Sequence, residues 1–163
     1  MTTSTDTRAC IGVVLAGGQS QRMGRDKALL DWHGRPLIEH QLATLQAAGV
    51  TRACVSGLRP DYHGIADPLV AAGPVAGLAG VANDIADDAD LLVVPVDMPL
   101  LSPSLLARLR TENLPARCLT LGAHVLPFRL RLDRATRALL SQLLATGNPR
   151  QRSLRALQHT VGI

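Results

Sequence analysis

The segment LAGGQSQRMGRDKALL, residues 15–30, joins a glycine pair to two long cationic side chains. Gly17 and Gly18 directly follow the apolar run CIGVVLA, and a backbone without Cβ lets its N–H groups approach an anion closely. An ordinary strand-to-helix turn is the plain alternative for a glycine pair. The cations favour the anion. Arg22 offers a planar fork of donors and Lys27 a mobile ammonium, so the two reach different oxygens of one polyphosphate. The spacing matches neither G-x-x-x-x-G-K-[ST] nor G-x-G-x-x-G, which weakens ATPase and dehydrogenase readings.

Asp97 closes the run VVPVD, at the same end of a sheet as the glycine turn. Mg²⁺ takes one or two carboxylates together with phosphate oxygens, so a lone Asp facing the loop would suffice to hold it. Capping a turn before Pro99 is the other use open to Asp97. Asp67, ahead of Pro68, has the same two options of a turn or a ligand contact. Gly73, Pro74 and Gly77 open a helix whose N–H groups could meet ribose or phosphate, or whose glycines could serve packing. His33, His40, His63, His124 and His159 show no metal spacing, and His40 reads as a helix-surface residue. No G-x-S-x-G elbow supports nucleophilic hydrolysis. Arg129 and Arg131 alternate on a strand, as a solvated edge or as a contact for a second phosphate. Arg150, Arg152 and Arg155 read as surface charges.

The elements that must position these groups follow from periodicity. CIGVVLAGG, RACVSG and DLLVVPVDMP are strands, and the third is a continuous apolar run that belongs at the centre of a sheet covered on both faces. Further strands fall over 117–121 and 124–130. A helix begins at Pro36, with Ile38, Leu42 and Leu45 on one face and Gly49 closing it. Leu78, Val81, Ala82 and Ile85 share a face of a second helix. Ser102 and Pro103 start a third, Asp133 a fourth running to Gly147, and RQRSLRALQ forms a last short one. This alternation predicts a three-layer α/β, Rossmann-like domain with a mostly parallel central sheet, whose ligands gather beyond the carboxyl ends of the strands. Residues 1–8 read as a polar tail and 9–163 as one domain.

Composition narrows the partners. In 163 residues, 47% are hydrophobic and 18% charged, which excludes a disordered chain. No run approaches the roughly 18 apolar residues of a membrane span, and no secretory leader is legible, so a cytoplasmic protein is expected. Seventeen Lys and Arg against thirteen Asp and Glu give a net charge of +4, suited to an anionic ligand. Scattered arginines and one each of Trp, Tyr and Phe argue against nucleic acid and for a small phosphorylated molecule. Cys10, Cys54 and Cys118 lack metal or redox spacing and read as reduced core thiols.

The stretch LAGGQSQRMGRDKALLDWHGRPLIEH resembles the molybdenum cofactor guanylyltransferases, within the wider nucleotidyltransferase fold. The likeness continues through GPVAGLAG and VVPVDMPLLSPSLL, and more loosely through HVLPFRLRLD and GNPRQRSLRAL. It implies transfer of GMP from GTP to the terminal phosphate of molybdopterin, with pyrophosphate released and no covalent enzyme intermediate. It implies nucleotide contacts at Leu15, Ala16, Gly17, Gly18, Lys27, Asp67 and Asp97, catalytic roles for Arg22, Lys27 and Asp97, and Mg²⁺ on Asp97. Molybdoenzymes or other cofactor-biosynthesis proteins are the implied protein partners, and Arg150, Arg152 and Arg155 match a region bordering the pterin pocket. Relatives that use CTP tend to show L-A-A-G and Pro-Lys, so Ala16-Gly17-Gly18 and Asp26-Lys27 favour guanine. Yet SGLR at 56–59 departs from the usual S-A-N-R, whose Asn helps read the base. The sequence also stops at VGI, without the Asn-x-Asn-Thr-Pro segment that usually closes the family's fold and lies near the metal. A CTP or sugar nucleotidyltransferase of the same fold, and a catalytically weak nucleotide or molybdopterin carrier, therefore stay open.

Overall fold

A computed structural model describes residues 8–17, 26–69 and 72–162. In chain order its elements are β1 (Cys10–Leu15), β2 (Asp31–Trp32), β3 (Arg35–Pro36), α1 (Leu37–Ala47), β4 (Arg52–Ser56), α2 (Pro74–Asp84), β5 (Ala89–Pro95), α3 (Pro103–Thr111), β6 (Cys118–Thr120), β7 (Phe128–Leu132), α4 (Arg134–Ala145) and α5 (Leu154–Val161). Five strands form one sheet in the order β4-β1-β5-β7-β6. β1 runs parallel to β4 and β5, whereas β7 runs antiparallel to both of its neighbours. The sheet is mixed and mostly parallel, with β5 at its centre.

Why β1 and β5 read as continuous apolar runs is visible in the packing. Successive residues of a strand point to opposite faces, and both faces here are covered. Val13, Leu91 and Val93 join one cluster with Val75, Leu78 and Val81 of α2, Leu140 and Leu143 of α4, and Leu157 of α5. Val14, Leu92 and Val94 join the other with Ile38 and Leu45 of α1 and Leu106 and Leu109 of α3. The expected three layers result.

Helix starts follow local chemistry. Ser102 accepts from the Leu105 N–H at 3.2 Å, Asp133 from Thr136 at 3.0 Å and Ser153 from Ala156 at 3.1 Å, each satisfying a donor with no intrahelical partner. Gly49 follows α1 at φ +89°, a left-handed position that suits glycine. Two expectations shift. The stretch before α1 carries a 3-10 turn at Lys27–Leu29 and the β2–β3 hairpin, both too short for a periodic signal. The strand expected at 124–130 lies at Phe128–Leu132, just after Pro127, which has no N–H to give the ladder. All three cysteines are free thiols; Cys10 and Cys118 are buried, Cys54 is half-buried, and burial pushes each up to about 11. No helix among the described residues is long and apolar enough to cross a membrane.

Connectivity then fixes where a ligand can sit. From β1 the chain crosses to β4 through α1 on one face, and from β4 back over β1 to β5 through α2 on the other. Loops leaving β1 and β4 therefore diverge to opposite faces, opening a crevice at the carboxyl ends of these strands, and α3 after β5 returns to the face of α1.

Candidate active site

Three strands end in step at that crevice, because Leu15 is the register partner of both Ser56 and Pro95. Just beyond them stand Gly17 after β1, Gly57 after β4 and Asp97 after β5. Lys27 returns to this edge from the far end of the glycine segment, with Nζ 3.6 Å from Asp97 Oδ2 and about half of each side chain exposed (45% and 53%). The cation and the carboxylate that the sequence singles out are thus neighbours. Gly18 and Arg22 lie outside the described residues.

Gly17 and Gly57 pack backbone to backbone. Gly57 has φ +126°, and a Cβ on it would lie 2.7 Å from Gly17 Cα. Hydrogen bonds from Ala16 N–H to Ser56 O at 2.9 Å and from Gly57 N–H to Ile65 O at 2.8 Å hold the approach. Asp67 sits behind it. A Cβ on Gly17 would lie 3.6 Å from Asp67 Oδ2, and one on Gly77 3.5 Å from Oδ1. Asp67 Oδ1 is buried without a hydrogen-bond partner, and burial pushes this carboxyl above the ordinary range. The orphaned oxygen thus lies at Gly77 near the start of α2, and the other carboxylate oxygen at Gly17. Gly77 itself serves packing, since its Cβ would strike the Ser56 hydroxyl, whereas Gly73 at φ +82° faces open space at the start of α2.

Side chains that periodicity did not single out hold these loops. Arg59 donates to the Ala16 carbonyl through Nε at 3.1 Å and Nη2 at 2.9 Å, and to both oxygens of the Asp26 carboxylate, with Nη2 to Oδ1 at 2.7 Å. The guanidinium keeps Asp26 below the usual carboxylate range. Gln41 of α1, fully buried, donates through Nε2 to the carbonyls of Pro95 and Met98, each at 2.9 Å, and so brackets Asp97. His40 Nε2 donates to Pro99 O at 2.8 Å, so this residue is half-buried against the Asp97 turn rather than on the helix surface. A hint of Gln41 was available: it interrupts the apolar stripe from Ile38 to Leu45. Arg129 is neither a solvated edge nor beside this site, because its Nη1 caps α3 at the carbonyls of Leu109 and Arg110 (3.2 and 2.7 Å). Arg150 and Arg155 are exposed, and Arg152 is half-buried.

Residues 12–161 match the model of the MobA-like NTP transferase domain. The chain belongs to this family. A MobA-like transferase is a nucleotidyltransferase, and the crevice geometry accords with that class. A molybdenum cofactor guanylyltransferase of Xanthomonas euvesicatoria is 53% identical over 154 residues, covering 94% of this chain and 80% of that protein. Among solved structures, the molybdopterin-guanine dinucleotide biosynthesis protein A of Archaeoglobus fulgidus superposes with a TM-score of 0.71 at 18% identity, over 92% of this chain and 79% of that one. A Mycobacterium tuberculosis protein solved in complex with manganese gives a TM-score of 0.62 at 18% identity, over 83% and 76%. The two structures share the fold.

A divalent ion fits this MobA-like site in one particular way. Among the described residues no group of three or more His, Cys, Asp or Glu converges to enclose a metal. An ion here would rest on the exposed carboxylate of Asp97 and take its other ligands from phosphate and water, which is the habit of Mg²⁺.

Proposed function

We propose that the chain transfers GMP from GTP to the terminal phosphate of molybdopterin, forming the guanine dinucleotide cofactor. An oxygen of the acceptor phosphate attacks the α-phosphorus of GTP. The bond from that phosphorus to the oxygen bridging the β-phosphate breaks, and its electron pair leaves with pyrophosphate. No group on the protein need become covalently attached, so positioning and charge stabilisation carry the reaction.

The observation that carries this reading is Lys27 Nζ standing 3.6 Å from Asp97 Oδ2 beyond the ends of β1 and β5. In the proposed complex the backbone of Leu15, Ala16, Gly17 and Gly18 lies along the nucleotide, and Asp67 accepts from its donors. Arg22 and Lys27 offset charge that moves toward pyrophosphate. Asp97 would hold Mg²⁺, whose charge would offset that of the phosphate oxygens. The name of the Xanthomonas relative supports molybdopterin as acceptor. The same reading places the reaction in the cytoplasm, with molybdoenzymes or other cofactor-biosynthesis proteins as recipients and neither nucleic acid nor membrane as partner.

One observation favours a second reading. Leu58, where the resemblance leads one to look for a base-reading Asn, is 79% exposed and offers no side-chain hydrogen bond. CTP in place of GTP is the alternative it favours. Titration with GTP, CTP and ATP in Mg²⁺, followed by a pyrophosphate-release assay with molybdopterin, separates them. GTP binding and release with molybdopterin is the expected result. Preference for CTP rejects guanylyl transfer, and binding without release favours a carrier.

A further inference from the structure

We propose that Arg59 is a positioning residue that fixes the two flanks of the glycine segment, Ala16 and Asp26, and through them sets Gly17 and Lys27 against Asp97. The proposal deepens the function above and rests on it for the ligand.

Arg59 lies between the two flanks. One edge of its guanidinium serves the Ala16 carbonyl, one residue past β1, and the other serves the Asp26 carboxylate, one residue before the Lys27 turn. A planar fork can hold two acceptors at a set separation, which an ammonium cannot. Arg59 is itself held: its carbonyl accepts from Tyr62 N–H at 3.0 Å and Gly64 N–H at 2.8 Å, and its side chain is 16% exposed. Asp26 passes the constraint on, because Oδ1 also accepts from Ala28 N–H at 3.2 Å and caps the turn that carries Lys27. With Nε, Nη1 and Nη2 all directed at protein acceptors, Arg59 is committed to the loop flanks rather than to a phosphate. Ala16 and Asp26 each adjoin a site residue, so fixing them fixes the backbone at Gly17 and the turn that carries Lys27.

The test compares Arg59→Lys, Asp26→Asn and the double variant with the unaltered chain. Arg59→Lys keeps the charge and removes the fork. Hydrogen exchange at the Ala28 amide reads the strut without any ligand, and calorimetric titration with Mg²⁺–GTP reads its use. Arg59→Lys should speed Ala28 exchange and weaken Mg²⁺–GTP binding, each about tenfold, with the double variant no worse than the weaker single, as expected for residues acting through one contact. Unchanged exchange at Ala28 overturns the proposal whatever the nucleotide does. Faster exchange with unchanged Mg²⁺–GTP affinity, or additive losses in the double variant, also overturns it. Faster exchange in a protein whose unaltered form binds no GTP supports the strut and sinks the proposed function instead.

Discussion

Lys27 Nζ stands 3.6 Å from Asp97 Oδ2, beyond the carboxyl ends of the adjacent parallel strands β1 and β5. Both side chains are about half exposed, so as an ion pair they contribute at most about 1 kcal/mol to stability. Under the proposed function the pair is where a polyphosphate and a divalent cation would exchange partners: phosphate would take the ammonium and the cation the carboxylate. Lys27→Ala and Asp97→Ala should each lower turnover about a hundred- to a thousandfold. Circular dichroism melts should stay close to the parent, and a pyrophosphate-release assay reads the rate. Near-parental turnover in either variant removes that residue from the chemistry.

The same proximity sets an opposite expectation for the bare metal. Without nucleotide, the Lys27 ammonium repels a divalent ion from Asp97. Lys27→Ala should therefore bind Mn²⁺ several-fold more tightly while turning over more slowly, as seen by paramagnetic titration. Weaker Mn²⁺ binding in this variant would show that Asp97 is not where the ion rests.

Asp67 gives a pH-dependent prediction. Burial raises its folded pKa above the unfolded value, so ionised Asp67 costs stability. The cost is absent below the unfolded pKa, grows as pH rises toward the folded value and is complete above it. Asp67→Asn should thus be at least as stable as the parent at neutral pH, with its advantage vanishing in acid. It should nonetheless bind GTP more weakly, since one of the two acceptor oxygens beside Gly17 and Gly77 becomes an amide donor. Urea melts at pH 3 and pH 7 check the first half, and nucleotide titration the second.

How much of this was legible in the sequence depends on how far each contact reaches along the chain. Gly17 and Asp97 were found because each follows an apolar strand within two residues, and the helix caps because their partners lie three residues on. Lys27 was found through its cationic company in the loop. Arg59 and Gln41 escaped because their contacts lie 43 and 54 residues away, a pairing that only the β4-β1-β5 order creates. Gly57 was read only as a lost side chain; its use is the backbone approach to Gly17. Arg129 shows the reverse error, since a charge alternating on a strand was weighed for solvent or phosphate and found its partners at the end of a neighbouring helix.

Gly57→Ala tests that backbone approach. The new Cβ would lie 2.7 Å from Gly17 Cα and 2.8 Å from Gly17 N, with no flexible side chain to yield, and φ +126° adds strain of its own. The strain alone is of order 1–3 kcal/mol. The loss should appear in a urea melt, and the displaced Gly17 should weaken GTP binding beyond what the lost stability explains. Parental affinity in the folded fraction would mean that Gly17 does not touch the nucleotide.

Gln41 separates holding the proposed metal ligand, Asp97, from holding the fold. Its Nε2 ties the carbonyls of Pro95 and Met98, on either side of Asp97, while its own Oε1 is buried without a partner. Gln41→Leu strands those two carbonyls at a cost of about 1–3 kcal/mol, partly offset by removing the orphaned Oε1. With the turn released, Mn²⁺ affinity at Asp97 should fall several-fold although no ligand atom has been changed. Gln41→Glu supplies the contrast. A buried carboxylate facing two carbonyls has nothing to donate unless protonated, so its folded pKa must rise and the variant must lose stability as pH increases from 4 to 8. Gln41→Leu should show no such slope relative to the parent. A flat stability difference between the Glu variant and the parent over that range, or parental Mn²⁺ affinity in the Leu variant, would show that the Asp97 turn holds its shape without Gln41.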